Sequence, residues 1–240
     1  MHLTSTKLDY SVCKTDSGGI PVIIVAAGSS SRMEGADKQL ITIAGIPVIA
    51  RALMNFERSP LISRIILVTR EQSIKEMQLI AEKYLITKIS DIVKGGDTRG
   101  QSVLCGMERL SADENKALIS DGARIFVTER MIEDCVAALK CHDGCLTAVK
   151  VHDTVKSVFE GKVNKTVDRN GLYLAQTPQG VTVSLYKKAI ENADISSFTD
   201  DASVLESIGA DVVVVEGSRR NIKITTPDDI ALAKMLAREE

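Results

Sequence analysis

Ile20-Pro21-Val22-Ile23-Ile24-Val25-Ala26-Ala27-Gly28 is a nearly unbroken apolar run closed by a glycine. It lacks the apolar–polar alternation of a half-exposed strand. It therefore predicts a strand buried on both faces, as inside a parallel sheet, over Ile20 to Ala27. The chain beyond it keeps a matching rhythm. Ile46, Ile49, Ala50, Leu53 and Phe56 recur at helical spacing over Ile46 to Glu57. Ile65 to Val68 reads as a second strand, and Ser73 with Glu76 reads as a capping box opening a helix that runs to Tyr84. Ile89 to Val93, a Gly95-Gly96 turn and a helix over Thr98 to Leu110 make the next unit. Ala117 to Ile119, a helix capped by Thr128 that runs to Cys141, and Cys145 to Val149 complete the series. Strands alternating with helices predict an α/β fold, a mostly parallel twisted sheet with helices on both faces.

The alternation breaks between Val151 and Gln176. Thr154 to Phe159, a Glu160-Gly161 turn and Lys162 to Val167 read as a hairpin standing outside the repeating pattern, a β-arm protruding at residues 151–172. Helices near Ser184 to Asn192 and Asp201 to Ile208 follow, with a strand at Val212 to Val215. The last helix has a clear start: Thr226 as cap, Pro227 at its first position, and Asp228 and Asp229 in its first turn. No internal repeat or low-complexity linker interrupts the chain. The reading is an N-terminal extension over residues 1–19 and a single domain over 20–240 that carries the arm.

Composition narrows the function. Of 240 residues, 44% are hydrophobic and 26% charged, which excludes a disordered chain, a collagen and a coiled coil. The net charge of −2 argues against a nucleic-acid binder, and 3% aromatics with no Trp leave few platforms for stacking bases. No apolar run reaches the roughly 18 residues of a membrane helix, and Met1 to Gly19 lack the apolar stretch of a signal peptide. Five cysteines are an odd count in a chain able to bury a proper core; they are expected to be reduced thiols in a cytoplasmic protein.

Ligands of an open parallel sheet bind beyond the carboxyl ends of its strands. After the first strand come Ala26-Ala27-Gly28-Ser29-Ser30-Ser31-Arg32-Met33 and then Lys38. Small residues let the backbone approach phosphate oxygens, and Arg32 and Lys38 supply charge. A plain turn with two surface cations fits the same spacing. Neither the P-loop nor the dinucleotide glycine pattern is present. Gly95-Gly96-Asp97-Thr98-Arg99-Gly100-Gln101-Ser102 after the third strand is either a second close-approach loop or an ordinary helix cap. Asp121, in Ser120-Asp121-Gly122-Ala123-Arg124, suits a magnesium ion carried by nucleotide phosphates, or else pairs with Arg124.

Taken in order, these loops join Asp153-Thr154-Val155-Lys156, Thr166-Val167-Asp168-Arg169-Asn170-Gly171-Leu172, Gln176-Thr177-Pro178-Gln179, Thr199-Asp200-Asp201-Ala202 and Asn221-Ile222-Lys223-Ile224-Thr225. From Pro21 to Ala237 the set resembles the 2-C-methyl-D-erythritol 4-phosphate cytidylyltransferases. The resemblance implies a Rossmann-like nucleotidyltransferase fold and transfer of CMP from CTP to a polyol phosphate with release of pyrophosphate. It implies Arg32 and Lys38 at the triphosphate, with a divalent cation, Mg2+, held chiefly by the phosphates. Ala26, Ala27, Gly28, Gly96, Asp97 and Ser102 would meet the nucleotide. Asp121 would lie near the metal and the attacking phosphate, and Lys223, at the end of a late strand, and Arg169, in the arm, would grip the substrate phosphate. Thr154, Thr177 and Thr199 would be its hydroxyl partners. The resemblance also implies a homodimer built through the arm, with Thr154 and Arg169 acting on the partner's site. It implies no nucleic-acid or membrane partner.

This chain departs from the family pattern in places. Ser30 stands where many relatives have glycine, and Ser31 where many have a second basic residue. The stretch Ile119 to Ile125 lacks the histidine usual before the aspartate and the proline usual after the arginine, while Asp121, Ala123 and Arg124 are kept. A ribitol 5-phosphate cytidylyltransferase shares the CTP loops and the Gln-Thr-Pro-Gln motif, although Thr166 to Leu172 resemble the methylerythritol group more closely. A CTP-binding relative without turnover is the second alternative. A nicotinamide-dependent reductase is opposed by the missing glycine pattern. Cys135, Cys141, Cys145 and His142 lack the two-residue Cys spacing of a zinc site, and the reaction needs no acid–base pair from His152 and Asp153.

Overall fold

Val22 and Ile24 face one layer of helices while Ile23 between them faces the other, so the first strand is buried on both sides. The structure is a computed structural model, described over residues 18–28, 38–191 and 193–238. In chain order its strands are β1 (Ile20–Val25), β2 (Thr42–Ile43), β3 (Ile46–Pro47), β4 (Ile62–Thr69), β5 (Ile89–Lys94) and β6 (Lys116–Asp121). They continue with β7 (Gly144–Lys150), β8 (Val155–Phe159), β9 (Lys162–Val167), β10 (Tyr173–Thr182) and β11 (Val212–Glu216). The helices are α1 (Val48–Arg58), α2 (Ile74–Lys83), α3 (Arg99–Met107), α4 (Glu129–Cys141), α5 (Val183–Ile190), α6 (Asp201–Glu206) and α7 (Pro227–Leu236).

Seven strands form one sheet in the order β11-β7-β10-β6-β1-β4-β5. β1 pairs in parallel with β4 and β6, β4 with β5, and β7 with β11. On one face Ile49, Leu53 and Phe56 of α1, Met77 of α2 and Ile132 and Leu139 of α4 pack on Val22, Ile24, Ile65 and Leu67. On the other, Val103 and Met107 of α3, Tyr186 of α5 and Val204 and Leu205 of α6 pack on Ile23, Ile66 and Val68. This alternation of neighbouring strand residues between two cores is the mostly parallel, double-faced sheet expected from the sequence. A third small cluster sets Ala233 of α7 against Ile43, Ala123 and Ile224.

Three local readings need correction. β10 was not expected at all, yet it runs antiparallel between β6 and β7 near the middle of the sheet. Thr177-Pro178, a cis peptide, lies inside it, and the pairing with β7 shifts between Ala175 and Gln179. A proline cannot donate to a ladder, so the segment hides its strand character. The Ser73–Glu76 capping box does not form. A 3-10 turn over Glu71–Ser73 precedes α2 and holds Ser73 at φ −93 and ψ −6, in place of the extended backbone a cap requires. Lys223 does not end a strand either; it lies on an extended stretch after β11 that is tied by the Ile224 amide to the Ala123 carbonyl at 2.9 Å. The other caps form: Thr128 accepts from Met131, and Thr226 closes a box with Asp229.

Among the described residues β8 and β9 pair only with each other, turning at Glu160 and Gly161, both at positive φ, 48° and 75°. Cys105, Cys135 and Cys145 are free thiols, whereas Cys141 is disulfide-bonded, against the expectation of thiols throughout. Among the described residues no helix is long and apolar enough to cross a membrane.

Candidate functional site

The carboxyl ends of β1, β4, β5 and β6 lie side by side, and the chains leaving β1, β5 and β6 each latch onto the neighbouring strand. The Ala26 amide donates to Val68 O at 2.7 Å, Gly95 N to Thr69 O at 2.8 Å and Gly122 N to Val25 O at 2.9 Å. Above these latches opens a cleft of about 340 Å3. It gathers Ala27, Gly28, Lys38, Gly96, Asp97, Ser102, Asp121 and Lys223 from the sequence-derived set, together with Gln39, Thr98 and Arg99. Ala26, 3% exposed, is packed into the core beneath.

The turn after β5 is built for close approach. A Cβ on Gly95 would stand 2.5 Å from the Ala27 Cβ and 2.7 Å from Ser102 Oγ, so only glycine lets the two loops meet. Thr98 caps α3 and Gln101 reaches back to the Thr98 amide, a box that fixes where the helix begins. The Ser102 hydroxyl, 2% exposed, donates into the backbone, to Thr98 O at 2.9 Å or Gly96 O at 3.3 Å. Its lone pairs remain available to an incoming N–H donor.

Asp121 closes β6, 7% exposed, with three cations around one carboxylate. Arg99 Nε donates to Oδ1 at 3.1 Å, Lys223 Nζ reaches Oδ2 at 2.8 Å and Arg124 Nε stands 3.8 Å from Oδ2. Burial alone would raise its pKa; the charges of Arg99 and Lys223 outweigh that and hold it well below the usual carboxylate range. Arg124 is itself pinned, donating to Asn221 O at 2.6 Å and Ala175 O at 3.3 Å. Its fixed guanidinium ties the β6 loop to the stretch that carries Lys223.

Other predicted residues stand elsewhere. Thr177 is 3% exposed and does not line the cleft; its hydroxyl accepts the Asp121 amide at 3.0 Å and lies 3.2 Å from Ser120 Oγ. Thr199 borders a small neighbouring recess with Tyr186 and Asp201. Thr154 and Arg169 are exposed at the foot of the arm, where the Arg169 guanidinium donates to the His152 carbonyl. Arg32, Ser30 and Ser31 lie outside the described residues. Sequence reasoning met Arg99, Gln179 and Asp201 inside the motifs but gave them no role; their side chains join the cleft to α6. The motifs mark the positions, but the roles stay hidden because their partners are distant along the chain and meet only on folding.

The donor set bears on a metal. Among the described residues, no three His, Cys, Asp or Glu side chains converge. Mg2+ often takes one or two carboxylates together with substrate phosphates. A single carboxylate already engaged by Arg99 and Lys223 suits a cation brought in on a polyphosphate better than one caged by protein.

Known proteins resemble this chain over most of its length. A family model described as 2-C-methyl-D-erythritol 4-phosphate cytidylyltransferase matches residues 20–239. The chain is 42% identical over 223 residues to the 2-C-methyl-D-erythritol 4-phosphate cytidylyltransferase of Halalkalibacterium halodurans, covering 91% of this chain and 97% of that one. It is 40% identical over 225 residues to the enzyme of the same name from Geobacter metallireducens, covering 91% and 97%. Among solved structures, the 4-diphosphocytidyl-2C-methyl-D-erythritol synthase of Anaerococcus prevotii superposes with a TM-score of 0.80 at 31% identity, covering 92% of this chain and 96% of that one.

Proposed function

The chain belongs to the 2-C-methyl-D-erythritol 4-phosphate cytidylyltransferase family, and on that footing we propose that it transfers CMP from CTP to 2-C-methyl-D-erythritol 4-phosphate. The products are 4-diphosphocytidyl-2-C-methyl-D-erythritol and pyrophosphate, within non-mevalonate isoprenoid biosynthesis. The observation that carries the proposal is the cleft that sets two glycine-lined turns against a carboxylate ringed by Arg99, Arg124 and Lys223.

The two turns would take the nucleotide. Gly95 allows the loops to close on a flat base, and Ser102 Oγ offers an acceptor to the exocyclic amine that distinguishes cytosine from uracil. Gly28 opens the backbone after β1 toward the phosphates, with Lys38 beside it. Arg32, by family resemblance, would add a second positive charge there. A substrate phosphate oxygen is already a competent nucleophile toward the α-phosphorus, so the protein's task is to hold two anions in line and to neutralise the charge that develops. Lys223 would grip the attacking phosphate, with Asp121 aligning it. Magnesium entering on CTP would neutralise part of the phosphate charge.

The arm would form a homodimer. Val158, Phe159 and Val163 are 57%, 71% and 64% exposed on a ribbon that pairs with no other strand among the described residues, an apolar surface that a second arm would cover. Thr154 and Arg169 at its foot would then complete the partner's substrate site. Cytoplasmic location would follow from the family's soluble character, with the thiols of Cys105, Cys135 and Cys145 free, although the Cys141 disulfide is unusual for a reducing compartment.

The test is pyrophosphate release from CTP and Mg2+, with 2-C-methyl-D-erythritol 4-phosphate compared against D-ribitol 5-phosphate and an Arg32→Ala control. Release with the methylerythritol phosphate alone, lost in the control, supports the proposal. Release with ribitol phosphate alone moves the substrate, and silence with both alongside CTP binding removes the catalytic reading.

A further inference from the structure

Arg99 opens α3, and its guanidinium is divided between two carboxylates on different elements. Nε donates to Asp121 Oδ1 at 3.1 Å and Nη2 to Asp201 Oδ2 at 2.7 Å. Asp121 ends β6, whereas Asp201 begins α6.

The Asp201 end is immobile. Its side chain is 1% exposed, and the Tyr186 hydroxyl donates to its other oxygen at 3.1 Å. The amides of Asp201 and Ala202 both donate to Gln179 Oε1 at 2.9 Å, and Gln179 Nε2 returns to Asp200 Oδ2 at 3.0 Å. A guanidinium is a planar fork. With one prong clamped to an anion that cannot move, the direction of Nε is set. It points at Asp121, whose remaining oxygen faces Lys223 at 2.8 Å.

We infer that Arg99 is a positioning residue: anchored by Asp201, it stops the Asp121 carboxylate from rotating and so places Lys223 for the attacking phosphate. This rests on the function proposed above. Asp201 does no chemistry in this scheme. Its part is to convert the rigid start of α6 into a fixed direction for a side chain across the cleft. Lysine cannot replace Arg99, because an ammonium on a flexible stem can hold either carboxylate but does not impose an angle between them.

A buried ion pair that only stabilises the fold would have this same geometry, so the experiment separates the two roles. The variant Arg99→Gln/Asp201→Asn exchanges the charged pair for two neutral amides and leaves no buried charge without a partner; Arg99→Lys is the second variant. Steady-state kinetics are run on the full-length protein well below each melting temperature. Both variants are expected to lose about 10²-fold in kcat, with KM for CTP moving by less than about threefold. Wild-type kcat in the double variant, with only the melting temperature lowered, overturns the inference. A crystal structure of the double variant gives a readout that does not depend on activity. It is expected to show the Asp121 carboxylate turned and Lys223 Nζ beyond hydrogen-bonding distance of it; a separation still at 2.8 Å overturns the inference. If the wild type proves inactive on methylerythritol phosphate, the proposed function fails, and the crystal structure still decides the role of Arg99.

Discussion

Lys223 Nζ stands 2.8 Å from Asp121 Oδ2. The ion pair joins the extended stretch after β11 to the last residue of β6, and it parks a lysine whose side chain is 38% exposed against a carboxylate that is 9% exposed. A dianionic phosphate entering the cleft offers that ammonium more charge than Asp121 does, and Asp121 keeps Arg99 and Arg124 when Lys223 turns away. The pair therefore holds Lys223 ready without trapping it.

Lys223→Ala is expected to lower kcat/KM for the polyol phosphate by about 10²–10³-fold, while CTP affinity and melting temperature change little. Isothermal titration with CTP alongside pyrophosphate-release kinetics checks both halves. Unchanged kcat/KM would remove Lys223 from the substrate site.

Thr177→Val separates two roles for this threonine. Its hydroxyl accepts the Asp121 amide at 3.0 Å inside the protein, so valine leaves a buried N–H without a partner, at a cost of about 1–3 kcal/mol. The expected result is a lower melting temperature and a lower kcat, with KM for the polyol phosphate unchanged. A rise confined to that KM would mean that Thr177 touches the sugar alcohol directly.

Away from the cleft, Arg64 on β4 holds Glu114 through both carboxylate oxygens, at 2.8 and 2.6 Å. Hydrogen bonds from Arg64 bring the Glu114 pKa down from 4.5 to about 2. Because the folded value is the lower one, this stabilisation is complete above pH 4.5 and is lost as pH falls toward 2. Solvent reaches the pair, so the contribution is about 1 kcal/mol. Glu114→Gln should lower the melting temperature at pH 7 and flatten its decline across that acid window. Parallel curves for the two proteins would show that the pair contributes nothing.

The arm can be tested by mixing inactive proteins. If Arg169 acts on the partner's site, Arg169→Ala and Lys223→Ala are each inactive alone, yet their heterodimer contains one intact site. Random exchange of subunits should restore about a quarter of wild-type turnover. No recovery, with exchange confirmed by mass spectrometry, would place Arg169 in its own subunit's site or outside catalysis.

Features set by neighbours in the chain were legible from the sequence alone. The apolar run at Ile20 announced a doubly buried strand, Thr128 and Thr226 announced helix starts, and Glu160-Gly161 announced a tight turn, because each depends on a few adjacent residues. The clustering of Gly28, Gly96, Asp97 and Asp121 was legible too, since parallel strands must bring their carboxyl ends to one edge. Tertiary structure decided the rest. β10 became a strand only because β6 and β7 offer it partners on both sides of a proline-bearing segment. Ser73 failed as a cap because the preceding 3-10 turn had already taken its backbone. Thr177 turned inward to Asp121, and Arg99 found Asp201, through hydrogen bonds between residues far apart in the chain. Local propensity acts over one or two turns of backbone, whereas the partner of a buried charge is chosen by how the whole sheet closes.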